Sequence, residues 1–347
     1  MRKRAFYSLI LLLDTFWHPI QGTAQISGGT QTDGPFTLES PLPYHLPPFD
    51  KIRESDYRPA LETGMAEHAK EAAAIAHNPA PPTFENTIVA LERSGQMLSR
   101  VAAVFFELTS SNTSDELDKI QTEMAPKLSQ HHDAIFLDAD LFARIHKLFE
   151  ERAKLGLEPE SLRLLESYHT FFLRSGAALR EPEKEKLRTL NQQLSELTIQ
   201  FKQRVLKAAN DGAVVVDKLS DMEGLSEEQI AAAAEAARAR KLDGQWLIAL
   251  QNTTGQGVLA RLKNRPLRER IYNASIRRGN GGSDDNTVTA AKIVELRALK
   301  AALLGYPNHA AYTLENETAA TPAAVNKMLS QLAPAAVANA RREAADM

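Results

Sequence analysis

The side chains that could do chemistry in this chain are histidines and carboxylates, because there is no cysteine. Without thiols there is no Cys-ligated zinc, no iron–sulfur cluster and no thiol nucleophile. A nucleophile must be Ser, Thr, a carboxylate or water, and a metal must be held by His, Asp and Glu. Nine histidines are present, at positions 18, 45, 68, 77, 131, 132, 146, 169 and 309. None is followed by Glu, so the zinc motif His-Glu-x-x-His is absent from these residues. His131 and His132 are adjacent. On a helix they diverge by about 100°, so one metal cannot take both, and the pair reads as a solvated face. Glu166-x-x-His169 is half of a di-iron bundle motif. No second Glu-x-x-His exists to complete it, so it reads as a surface Glu beside a half-buried His.

Two glycine-rich stretches invite a phosphate or cation reading. Gly255-Gln-Gly257-Val-Leu-Ala260 fits the dinucleotide fingerprint with Ala in third place. Asn252-Thr253-Thr254 intrudes where the turn should be tight, and no acid-ended strand follows at the required distance. The stretch therefore reads as the start of a helix over 255–263. Arg277-Arg278-Gly279 through Asp285 lacks calcium-loop spacing and reads as a connector with a cap for the next helix. No Gly-x-Ser-x-Gly elbow is present. The residues thus assign no catalytic, cofactor-binding or metal-binding position.

The elements around these residues are helical. The length of 347 residues suits about two domains. A 43% apolar content supports a packed core, and Gly and Pro, at 17 each, are too few for a disordered or collagen-like chain. A formal charge of −3 with no long one-sign block argues against a nucleic-acid partner. Tyr57, Leu61, Met65, His68 and Ala72 share one side of a helix over 55–77. Thr83 caps a second, whose single apolar stripe runs Phe84, Ile88, Leu91, Leu98, Val101, Phe105, Leu108. Helices follow at 115–132, 139–153, 158–174 and 182–209, the last stopped by Asn210-Asp211-Gly212. Two compact apolar runs, 213–217 and 246–250, predict a two-stranded sheet. They flank a helix over 226–240 with Ser226 and Gln229 in capping-box spacing. Helices resume at 266–278, 285–304 and 307–316. A last one begins at Thr321-Pro322, with Pro334 predicting a kink. The fold class is all-α and multi-helical with one minor β element.

The ends carry expectations of their own. Arg2-Lys-Arg4, the apolar run 5–13 and the small residues Gly22-Thr23-Ala24 read as a signal peptide cleaved after residue 24. The run is far shorter than the roughly 20 residues of a membrane span, so no membrane partner is expected. An exported, periplasmic protein follows. Residues 25–48 read as an extended lead-in, 49–212 as an N-terminal helical domain, and 213–347 as a helical segment leading into a truncated catalytic domain. The chain stops inside an apolar-periodic helix with no C-cap device, as a cut chain would.

Several strings together resemble the thimet oligopeptidase family of zinc metallopeptidases. They are Pro48-Phe-Asp-Lys-Ile52, Pro82-Thr-Phe-Glu-Asn-Thr-Ile-Val-Ala-Leu-Glu92, Leu250-Gln-Asn-Thr-Thr254, Asn264-Arg-Pro-Leu-Arg-Glu-Arg270 and Leu303-Leu-Gly-Tyr-Pro-Asn-His-Ala-Ala-Tyr312. The first and third look most like the peptidyl-dipeptidase (dipeptidyl carboxypeptidase) branch. The resemblance covers nearly all of the chain after residue 43 and matches the N-terminal half of such an enzyme. It implies an almost all-α fold with two halves flanking a deep channel. It also implies zinc held by the His-Glu-x-x-His histidines and a downstream Glu, and short peptides as substrates. The zinc would belong to the full-length enzyme, with none bound by this chain, which would need the missing C-terminal catalytic half. The alternative of another class is a non-catalytic helical peptide-binding protein derived from a peptidase.

Overall fold

The structure is a computed structural model that describes residues 34–347 apart from Asn252 and Thr254. The expected signal peptide, residues 1–24, lies outside the described residues. Apolar residues at three- and four-residue steps dictate helices along most of the chain. The N-terminal part contains α1 (Glu54–Ala76), α2 (Ala90–Arg93), α3 (Gln96–Ser111), α4 (Asp115–Phe136), α5 (Ala139–Glu151), α6 (Pro159–Ser175) and the long α7 (Glu181–Asp211). Then come β1 (Val214–Val216), α8 (Glu227–Ala239) and β2 (Trp246–Ile248). The strands pair antiparallel, Val214 opposite Ile248 and Val216 opposite Trp246. They are α9 (Arg265–Ile276), α10 (Thr287–Leu303), α11 (His309–Leu314) and α12 (Pro322–Asp346) that complete the described chain.

Three apolar cores organise these elements, with a smaller cluster between α7 and α10. Tyr57 and Leu61 of α1 meet Val101 and Phe105 of α3 and Ile120 and Met124 of α4. Phe36 joins that core, 5.5 Å from the Tyr57 ring, and Arg100 Nη2 donates to the carbonyls of Phe36 and Thr37 at 3.2 and 3.1 Å, so the lead-in is anchored there. Ile75, Ile88, Ile145, Leu165 and Phe172 form a second core around α5 and α6. Val216, Met222, Ile248, Leu267 and Ile271 close the third over the small sheet. Leu194 of α7 packs with Ile293 and Leu296 of α10 in the fourth cluster.

One predicted helix is broken. The stripe from Phe84 to Leu108 is a π-helical turn (Phe84–Val89), then α2, then α3. The break falls at Gly95, whose φ of 68° is left-handed and favours glycine. Its N–H donates to the Glu71 carboxylate at 2.7 Å, and the His68 ring fills the space where a Cβ would sit. The tertiary contact to α1 overrides the helical period. A second expectation also fails. Residues 255–263 form only a short 3-10 turn, Gly257–Ala260. Helix α12 continues through Pro334. The predicted caps are present: Asn86 N–H donates to Thr83 Oγ1 at 3.1 Å, Gln229 N–H to Ser226 Oγ at 3.3 Å, and Ala324 N–H to Thr321 Oγ1 at 3.2 Å.

A buried polar relay ties the later helices to the earlier ones. Lys300 Nζ of α10 donates to Asn191 Oδ1 of α7 at 2.7 Å, and Asn191 Nδ2 donates to Asp133 Oδ1 of α4 at 2.8 Å. Burial pushes the Lys300 amine below its ordinary range, and the Asp133 carboxylate opposes that shift. Removing the carboxylate leaves the buried Asn191 amide without its acceptor. Asp133→Ala is expected to cost about 2 kcal/mol of stability, read from urea unfolding. Lys207→Ala, at an exposed pair with Asp211, is expected to stay within about 0.5 kcal/mol.

Candidate functional site

The strings that carry the family resemblance turn out to be scaffold. Asn86 is a node: it accepts from Thr83 N–H and from Arg144 Nη2 at 3.0 Å, and donates to Pro81 O at 2.9 Å. Buried Arg144 also donates to the carbonyls of Asn78 and Ala80, so α5 clamps the turn before Thr83. Gln256 is buried and pairs its side-chain amide with the Gln251 backbone at 2.9 and 3.0 Å. A third bond, 3.0 Å to Ser275 Oγ, fixes that loop on α9. Gly255 and Gly257 have open space where a Cβ would stand, and neither has a left-handed φ. No backbone cradle of the dinucleotide type is built there among the described residues. Asp285 accepts from Thr287 N–H at 2.7 Å, but the N-cap of α10 is Asn286, which makes no side-chain cap bond, so the expected cap is not formed.

Around the last string, Arg174 of α6 reaches Glu315 at 2.5 Å, and its guanidinium lies 4.6 Å over the Tyr312 ring. Tyr306 OH donates to the same Glu315 carboxylate. Burial, and then that carboxylate, push the Tyr306 phenol up to about 12. Asn308 caps α11 through Ala311 N–H at 2.9 Å. This cluster docks α11 on α6 and sets the direction in which α12 leaves.

The histidines differ from their expected positions. His131 and His132 are half-buried rather than on a solvated face. His131 Nε2 lies 3.0 Å from His68 Nδ1 on α1, and the His132 ring is 4.5 Å from Phe136. His169 is buried, 6% exposed, rather than half-buried. It stacks on Phe149 at 3.7 Å and lies 3.0 Å from His146. Aromatic neighbours three or four residues away on two packed helices create these burials, and no single-helix pattern reports them. Glu166 pairs with Arg152 and Arg163, each at 3.9 Å.

No group of three or more His, Asp or Glu that could hold a metal occurs among the described residues. What the described surface offers instead is apolar contact. No residue of α12 is buried, and Met328, Leu329, Leu332 and Val337 are 46–60% exposed. Tyr272 and Ile276 of α9, and Val288, Val294 and Leu299 of α10, are also exposed. Helix α12 is 25 residues long and carries this apolar surface on its exposed side. No helix among the described residues is long and apolar enough to cross a membrane.

Comparison with known proteins gives this surface a context. Residues 258–347 match the sequence profile of peptidase family M3. The chain is 42% identical to the dipeptidyl carboxypeptidase of Escherichia coli (strain K12), over 91% of this chain and 46% of that protein. It is 40% identical to the dipeptidyl carboxypeptidase of Salmonella typhimurium over 90% of this chain, and 27% identical to oligopeptidase A of Escherichia coli over 89%. The chain spans about half the length of these relatives.

The His68–His131 pair makes stability depend on pH. Burial pushes His131 down to about 4, and the neighbouring His68 and His132 add to the effect; burial also lowers His68. The unfolded chain takes up these protons near pH 6.5, whereas folded His131 takes its proton only near pH 4 and His68 is shifted the same way. The contribution is fully present above about pH 6.5 and is lost as pH falls towards 4. The urea midpoint is expected to drop between pH 7.5 and 4.5, and to drop less in His131→Gln. An equal drop in both proteins would refute this assignment.

Proposed function

The chain is a relative of the M3 peptidases, and from that premise we propose that it is the amino-terminal scaffold of a zinc-dependent peptidyl-dipeptidase that hydrolyses short peptides. In this reading it supplies one wall of the substrate channel, and the exposed faces of α9, α10 and α12 take the remaining catalytic half. The observation that carries the proposal is 42% identity to a dipeptidyl carboxypeptidase along nine-tenths of this chain and under half of that protein. The basic start and apolar run of residues 1–24 support export to the periplasm. The domain division at about residue 212 belongs to the same proposal: 49–212 as the helical domain, 213–347 as the lead into the catalytic part.

Zinc in the family this chain resembles needs two histidines one helical turn apart with a Glu beside the first. The donor set here does not fit that group, because none of the nine histidines precedes a Glu. No hydrolytic step is therefore assigned to these residues. Their work in this reading is to fold, to hold α12 outward and to shape a peptide-binding wall.

The isolated chain is expected to release no dipeptide from a short blocked peptide, with or without added zinc. It is also expected to self-associate, since four large apolar side chains of α12 face solvent. Chelator-sensitive dipeptide release would overturn the division of labour. A clean monomer in light scattering that binds peptide would favour the non-catalytic binding protein instead.

A further inference from the structure

Two histidine pairs in this molecule look alike and differ in one respect. In each, ring nitrogens from two packed helices stand 3.0 Å apart: His68 with His131, and His146 of α5 with His169 of α6. Only the second pair has a carboxylate behind it. Glu150 Oε1, one turn along α5, lies 3.6 Å from His146 Nε2, the nitrogen that faces away from His169. A carboxylate there favours a proton on Nε2 and leaves the Nδ1 lone pair directed inward, the arrangement by which outer carboxylates orient metal-binding imidazoles. No carboxylate among the described residues pairs with His68 or His131.

The rings of the second pair are also fixed in place. His169 is sandwiched on Phe149 at 3.7 Å with planes 2° apart, and Phe142 stacks on both imidazoles at 5.6 and 5.9 Å. The two imidazole planes lie 19° apart. Two Zn–N bonds of about 2.0–2.1 Å at a tetrahedral angle put their nitrogens about 3.3 Å apart. The observed 3.0 Å needs an opening of only about 0.3 Å to admit the ion.

We propose that His146 Nδ1 and His169 Nε2 form a two-histidine site for a divalent transition metal, zinc in the first instance, which staples α5 to α6. His169 carries its proton on Nδ1 when the metal is bound, so both inward lone pairs are free. Water completes the coordination, because no third donor converges on the point among the described residues. Glu150, 3.6 Å from His146 Nε2, closes onto that N–H as its acceptor when the metal binds. The proposal does not depend on the peptidase reading, and it departs from the expectation that this chain binds no metal.

The test uses the tag-free 347-residue chain, titrated with Zn2+ at pH 7.5 by calorimetry and with Co2+ by visible absorption. One equivalent is expected to bind, and Zn2+ is expected to raise the urea midpoint. His146→Gln, at a half-exposed position that leaves the core intact, is expected to weaken binding at least tenfold. Glu150→Gln is expected to weaken it by about tenfold. His131→Gln, in the pair without a carboxylate, is expected to bind as the unaltered chain does. Unchanged affinity in His146→Gln, no saturable binding by the unaltered chain, or loss of the site in His131→Gln would each overturn the assignment.

Discussion

The structure depends on one constraint: a lysine amine has been taken out of water in the middle of a helical stack and must be satisfied there. Lys300 reaches Asn191, and Asn191 reaches Asp133. Each member comes from a different helix, α10, α7 and α4, so their relative register is set by hydrogen-bond geometry as well as by apolar packing. Neighbouring contacts repeat the pattern. Lys184 of α7 donates to the Leu137 carbonyl at 2.7 Å, Ser195 Oγ to Ala125 O at 3.0 Å, and Arg204 to Thr289 Oγ1 at 2.9 Å. Polar bonds of this kind are costly to leave unmade, and the alternatives to the native register would leave them unmade. The long helix α7 is thereby the spine, with α4 on one side and α10 on the other.

Much of this was legible in the sequence, and the exceptions have physical causes. The helices from 115 onward follow from apolar period, and Thr83, Ser226 and Thr321 cap as their spacing says. The two short strands were legible because Val214–Val216 and Trp246–Ile248 are β-rich runs between breakers. The break at Gly95 was not, because apolar spacing continues across it and the cause is a contact with His68 and Glu71 of another helix. The helix expected over 255–263 failed because Gln256 spends its amide on the Gln251 backbone and holds a loop. The histidine pairs were invisible because pairing is a property of two helices, 63 residues apart in one case and 23 in the other.

The same comparison explains what the family strings are for. Asn86, Asn264, Tyr306 and Tyr312 serve as caps, clamps and docking contacts. They hold turns and helices of this chain in place. The Arg174–Glu315–Tyr306 cluster fixes α11 on α6, and α12 then projects with nothing buried. In the reading proposed for this chain, α12 is the face that receives the rest of the enzyme.

Hydrogen exchange across residues 322–346 tests that claim most directly. It compares the chain alone with the chain mixed with a separately produced segment covering the part of the Escherichia coli dipeptidyl carboxypeptidase that has no counterpart here. The account predicts fast exchange along α12 in dilute isolated chain, slow exchange along α7, and protection of α12 when the second segment is added. Slow exchange along α12 in the monomeric chain alone, or no change on adding the segment, would contradict it.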